Sequence, residues 1–153
     1  MLPAGSQAPK FTLDDLDGAS HSLAEMLSRG PVLLVLYKIS CPTCQFTLPL
    51  LERLAPGSLQ IVAISQDDSA GTRRFRTKFG LKLLTLLDRE EDRYPVSNAF
   101  RIEYVPSIFL VETEGTISLV SESFVKKDLE AIGTRAGVRL FRDDESVPAW
   151  KAG

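Results

Sequence analysis

The chain has 153 residues, a hydrophobic fraction of 44%, a charged fraction of 25% and a net charge of −2. That length builds a core without disulfide staples, and the near-neutral charge leaves no footprint for nucleic acid or an anionic membrane. No apolar run reaches about 18 residues, so no membrane-spanning helix is predicted.

In chain order, Lys10-Phe11-Thr12-Leu13 reads as a short strand, Asp17-Gly18 as a turn, and Ser20-His21-Ser22 as the returning strand of a hairpin. Ser22 then caps a brief helix over Leu23–Leu27 that ends near Gly30. Pro31 opens an unbroken apolar run, Val32 to Tyr37, which predicts a strand buried on both faces. Beyond Ile39-Ser40 a helix is predicted to begin at the cysteines. Phe46, Leu50 and Leu54 form its inward stripe, widened by Leu51, and Pro49 interrupts its hydrogen bonding. Ala55-Pro56-Gly57 ends it.

Leu59 to Ser65 is a second buried strand, followed by a helix over Ala70–Phe79 closed by Gly80. The basic side chains of that helix, Arg73, Arg74, Arg76 and Lys78, are interleaved with Phe75 and Phe79 and read as its solvated face. Leu83–Leu87 is predicted as a strand, although its leucines also suit a helix. Asp88–Arg93 is a charged connection and Tyr94–Phe100 a short helix with Pro95 in its first turn. Ser107–Glu112 and Thr116–Ser121 form a hairpin about Glu114-Gly115. Val125, Leu129, Ile132 and Ala136 mark a closing helix that stops at Gly137. The tail from Val138 is either disordered or docked through Leu140, Phe141 and Trp150. The order βαβαβαββα behind an N-terminal hairpin predicts an α/β protein: a mixed central sheet with helices on both faces, in one domain spanning residues 1–153, with 138–153 as its tail. The N-terminus has no basic segment leading into an apolar one, which taken literally means the cytoplasm. A trimmed chain would look the same and leaves an extracytoplasmic site open.

The chemistry concentrates in Cys41-Pro42-Thr43-Cys44, which contains both cysteines of the chain. A thiol at a helix start faces free backbone N–H groups and the positive end of the helix dipole. Both favour the Cys41 thiolate over the free-thiol equilibrium, whose pKa is about 8.5. Pro42 suits the first helical position, where its missing N–H is no loss. Cys44, one turn deeper on the same face, is placed to resolve a mixed disulfide. The spacing alone also suits half a zinc site or two inert buried thiols. Zinc takes four ligands, however, and this chain offers two cysteines and a remote His21. A strand before the pair and a helix after it favour a redox dithiol.

Here the chain resembles the thioredoxin-fold thiol–disulfide oxidoreductases of the TlpA/ResA type, related to the AhpC/TSA redoxin group. The resemblance runs almost the full length. It rests on Gly5–Gly18 (GSQAPKFTLDDLDG), on the strand–CPTC–helix unit with Pro49, on the extra helix over Ala70–Phe79, and on Tyr104-Val105-Pro106-Ser107-Ile108-Phe109. It implies a cis Val105–Pro106 bond beside the cysteines, with the Val105 backbone pairing to the substrate chain. It also implies protein dithiols and disulfides as partners, a thioredoxin-type electron donor, no bound cofactor or metal, and a monomer.

Three departures bear on mechanism. Ser40 stands where relatives usually carry a tryptophan, Val35 where thioredoxins carry a buried aspartate, and Thr47 where ResA-like proteins carry a glutamate. Neither usual base for the recessed thiol is present. Glu103 is a candidate substitute or simply an exposed loop carboxylate. Lys38 is placed either to favour the Cys41 thiolate or to point away. A peroxiredoxin-like peroxidase is the alternative enzyme, but its proline and threonine positions hold Leu34 and Lys38 counted from Cys41, or Tyr37 and Cys41 counted from Cys44. The non-enzymatic alternative is a peptide-binding module of the same fold, which needs no reactive thiol.

Overall fold

The computed structural model describes residues 1–153. Its frame is a five-stranded sheet in the order β5-β4-β3-β6-β7. The strands are β3 (Val32–Tyr37), β4 (Gln60–Ser65), β5 (Leu84–Leu87), β6 (Ser107–Val111) and β7 (Ile117–Glu122). β3 runs parallel to β4 and antiparallel to β6, so the sheet is mixed, as its predicted order required. Pairing settles the ambiguity of the leucine run: Leu84–Leu87 lies parallel to β4 as an edge strand.

The unbroken apolar run of β3 is explained by the two layers it separates. Leu33, Val35 and Tyr37 face one core together with Cys44, Leu48 and Leu51 of α2 (Pro42–Leu51), Phe75 of α3 (Ser69–Phe79) and Leu129 and Ile132 of α5 (Lys126–Ala136). Val32, Leu34 and Leu36 face the other, with Leu23 and Met26 of α1 (Leu23–Leu27) and Val96 of α4 (Pro95–Ala99). Alternate side chains of one strand thus serve opposite layers, and a polar residue at any of these positions would lie in a core.

Local chemistry sets the element ends. The Ser22 hydroxyl caps α1 and the Asp68 carboxylate caps α3, which closes on Gly80 in the left-handed conformation. Pro49 has no N–H to offer the carbonyl one turn earlier, and α2 gives way three residues later to a 3-10 turn over Glu52–Leu54. The N-terminal hairpin forms between β1 (Thr12–Asp14) and β2 (Ser20–Ser22), so its first strand begins two residues after the expected Lys10. Asp15 accepts the Asp17 and Ala19 amides across its turn, and His21 Nε2 meets the Asp15 carboxylate at 2.8 Å. That imidazole holds the Asp15 carboxyl below its ordinary range.

The charged connection Asp88–Arg93 contributes one residue to the core, and one expectation for the tail needs correction. Asp88 is fully buried and accepts the amides of Val96 and Ser97 and the Ser97 hydroxyl, which fixes the start of α4. The tail is docked rather than loose, with Leu140 and Phe141 buried as expected. Trp150, however, is 60% exposed and is no apolar anchor. It is held through its backbone instead, because Trp150–Lys151 forms a strand, β9, antiparallel to β8 (Phe124–Val125). Pairing with the tail satisfies backbone groups of β8, a demand that side-chain hydrophobicity does not reveal.

Candidate active site

β3 and α2 meet at the turn Lys38–Ser40, and three interactions shape it. The Ile39 amide donates to Asp67 Oδ2 at 2.8 Å, Gln45 Nε2 donates to the Ile39 carbonyl at 3.0 Å, and the Cys41 amide donates to the Lys38 carbonyl at 3.2 Å. Cys41 is the N-cap residue of α2, with extended backbone, and Pro42 follows in the first turn. Its sulfur therefore stands where a capping oxygen normally does. The Cys44 amide donates to Cys41 Sγ at 3.1 Å, and Cys41 Sγ lies 3.5 Å from the Val105 carbonyl oxygen. The Val105–Pro106 peptide bond is cis. Four of the residues singled out in the sequence, Cys41, Cys44, Val105 and Pro106, thus converge from two separate parts of the chain.

The two thiols differ sharply. Cys41 is partly exposed, whereas Cys44 is fully buried among Val35, Leu48 and Ile108. Burial pushes the Cys44 thiol up, far from its thiolate form. Val35 and Thr47 supply no base to offset this. The Thr47 hydroxyl is turned back on its own helix and donates to the Thr43 carbonyl at 2.7 Å. Tyr37 packs its ring on Phe75, with centroids 5.2 Å apart, and burial pushes its hydroxyl up to about 12.

Both Lys38 and Glu103 are exposed and line a cleft of about 280 Å³ beside Val105, together with Gln66, Tyr94 and Tyr104. No hydrogen bond joins either side chain to a sulfur; the partners of Cys41 are backbone groups. Pro42 is exposed, but Thr43 is only 5% exposed, because the tail covers it: its hydroxyl donates to the Ala152 carbonyl. The sequence reading missed Asp67 and Gln45, the residues that hold the turn before Cys41. The Asp67-Asp68 pair was the available signal, since one carboxylate suffices to cap α3 and the other was free for a distant amide. His, Cys, Asp and Glu side chains nowhere gather in a group of three or more fit to hold a metal ion.

Residues 4–120 match the AhpC/TSA family. The chain belongs to that family. Among its relatives is the thiol-disulfide oxidoreductase ResA of Geobacillus kaustophilus, 28% identical over 135 residues, which cover 84% of this chain and 75% of the relative. The thioredoxin domain of a thiol-disulfide oxidoreductase from Bacteroides vulgatus superposes with a TM-score of 0.76 at 23% identity, over 89% of this chain and 99% of that one. A peroxidoxin from Mycobacterium tuberculosis gives a TM-score of 0.73 at 22% identity, over 94% of this chain and 100% of its own. These likenesses show that this AhpC/TSA protein has the thioredoxin fold.

The asymmetry of the pair has a direct consequence. Iodoacetamide at about pH 8 is expected to label native reduced protein once, at Cys41, because only thiolate reacts and Cys44 is both buried and protonated. Mass spectrometry should find a single adduct, and two after denaturation. Equal native labelling of both thiols would contradict the burial of Cys44. The same shift sets a stability trend with a definite sign. Cys44 keeps its proton when folded but ionises near pH about 8.5 when unfolded. Stability of the dithiol form is therefore fully present below that pH and declines above it.

Proposed function

We propose that this protein is a thiol–disulfide oxidoreductase that reduces or exchanges protein disulfides, working as a monomer. The observation that carries the reading is the Cys44 amide on Cys41 Sγ at 3.1 Å, with one sulfur accessible and the other sealed in the core. The amide donor fixes the Cys41 sulfur at the helix start, and only that sulfur is open to a partner.

Cys41 thiolate attacks one sulfur of a substrate disulfide and displaces the other as a thiolate, which takes up a proton. Cys44 then gives up its proton and attacks Cys41 Sγ, which breaks the mixed disulfide and frees the second substrate thiol. Two electrons pass to the substrate and a Cys41–Cys44 disulfide remains, so the step balances without a bound cofactor or metal. A second dithiol protein, of thioredoxin type, restores the reduced pair. Val105 and Pro106 form the opposite wall of the groove, where an extended substrate segment pairs with backbone. Tyr104, 54% exposed next to Val105, offers that segment an apolar contact. No observation favours the peroxidase: Leu34 is buried in β3 and Lys38 is exposed, at the two positions that would build a peroxide pocket.

Equilibration of the Cys41–Cys44 pair in thiol–disulfide buffers tests the proposal. A reversible two-electron couple is expected. A potential near about −270 mV assigns a reductase, and one near about −120 mV assigns an oxidant. If no reversible couple exists, the oxidoreductase reading falls. Peptide binding that survives a double serine variant then leaves the binding module standing.

A further inference from the structure

The tail does more than complete the fold, because its last residues lie in the groove assigned above to substrate. After Leu140 and Phe141 anchor in the core, residues 149–153 return across the start of α2. The Lys126 amide donates to the Ala149 carbonyl at 2.9 Å, β9 pairs with β8, and Lys151 Nζ sits 5.4 Å from the Phe46 ring centre. The Thr43 hydroxyl, inside the CPTC motif, donates to the Ala152 carbonyl. The Gly153 amide donates to Ser123 Oγ at 3.0 Å, and Ser123 in turn donates its own amide to the Pro106 carbonyl at 2.9 Å. Ser123 sits at φ 68°, a conformation that non-glycine residues seldom adopt.

The closest approach decides the matter. A Cβ placed on Gly153 would fall 2.2 Å from the Val105 carbonyl oxygen, the same atom that Cys41 Sγ contacts. The backbone at residue 153 therefore lies against the very edge along which an incoming polypeptide would pair. Thr43 is buried, and its hydroxyl bonds to the arm at the Ala152 carbonyl.

We infer that residues 149–153 are an internal occupant of the partner groove, and that the arm sets which disulfides reach Cys41. Small disulfides approach the partly exposed sulfur with the arm in place. A polypeptide disulfide needs the Val105 edge and must first displace the arm. Few bonds hold it, and its side chains are largely exposed, so it is released without unfolding the core. The inference rests on the oxidoreductase reading for its substrate, whereas the obstruction of Cys41 by the arm does not depend on it.

The test compares the full chain, a variant lacking residues 149–153, and Gly153→Ala, which forces the arm off Val105 while leaving β9 intact. Two probes of the reduced protein are used: iodoacetamide, which is small, and a polymer-conjugated maleimide, which needs the groove clear. Two disulfides are used alongside them, hydroxyethyl disulfide and insulin. An arm closed nine-tenths of the time lowers the apparent binding of a large partner about tenfold. Deletion should therefore raise maleimide labelling and insulin reduction about tenfold, with little change for the small reagents, and Gly153→Ala should give a smaller rise in the same order. Should the deletion fail to melt cooperatively, Gly153→Ala alone decides. Equal rates for large and small probes in every variant would overturn the inference, as would slower insulin reduction in both variants. If hydroxyethyl disulfide is not turned over by any variant, the oxidoreductase reading fails, yet the maleimide ratio still judges the arm.

Discussion

Cys44→Ser is expected to turn the protein into a covalent trap for its partners. The attacking sulfur, its helix start and the amide at residue 44 are all retained, because the donor to Cys41 Sγ is backbone. Attack on a substrate disulfide therefore proceeds, and one sulfur–sulfur bond is exchanged for another. What is lost is the second attack, since a serine hydroxyl neither ionises in this range nor displaces a thiolate. Turnover should fall by about 10⁴-fold or more, the scale seen when a nucleophile is removed from a covalent catalyst. Mixed disulfides at Cys41 should accumulate and be visible as reductant-sensitive adducts by mass spectrometry. Cys41→Ser should lose as much activity and form no adducts, since Cys44 is sealed in the core. A hydroxyl at residue 44 is poorly solvated, so a thermal melt of each variant belongs with the assay. Adducts that form equally on Cys41→Ser would reverse the assignment of attacker and resolver.

A large loss of stability is expected on truncating Phe124. Its side chain is fully buried, and its ring meets Phe46 of α2 edge-on at 5.0 Å and Phe141 of the tail at 6.4 Å. One aromatic residue thus joins the helix that carries the cysteines to the tail that crosses them. Truncation leaves a cavity that three separate elements cannot all close, so Phe124→Ala should destabilise by about 3–5 kcal/mol. In a chain of this size that corresponds to a melting point lower by about 10 °C. Phe124→Leu keeps most of the volume and should cost less than about 1.5 kcal/mol. Differential scanning calorimetry of the two variants separates volume from aromatic contact. If Phe124→Ala melts like the parent protein, the aromatic bridge is not what couples tail to core.

What the sequence determined by itself is what rests on local periodicity and capping. The alternation hidden in Val32–Tyr37, the inward stripes of the helices, the Ser22 cap, and the closing Gly80 and Gly137 are all set by neighbours within one turn or one strand pair. The CPTC motif belongs to the same class. Its chemistry follows from a cysteine at a helix start and another one turn deeper, both readable from spacing. Resemblance added Val105 and Pro106, which no local pattern in this chain joins to the cysteines.

Tertiary structure decided whatever depends on groups far apart in the chain. Asp88 and Asp67 look like surface charges until the amides they accept are brought to them, from Val96 and Ser97 in one case and from Ile39 in the other. Thr47 stands where a relative's glutamate would, and only the fold shows its hydroxyl spent on the Thr43 carbonyl. The tail is the clearest case. Its buried residues were legible because they are apolar, but Trp150 is exposed and the arm is held by backbone pairing, which every residue type offers equally. Side-chain type therefore carried no sign that residues 149–153 cross the Cys41 groove. That arrangement exists only because β8 pairs with Trp150–Lys151 while Thr43 and Ser123 bond to Ala152 and Gly153 beside Val105.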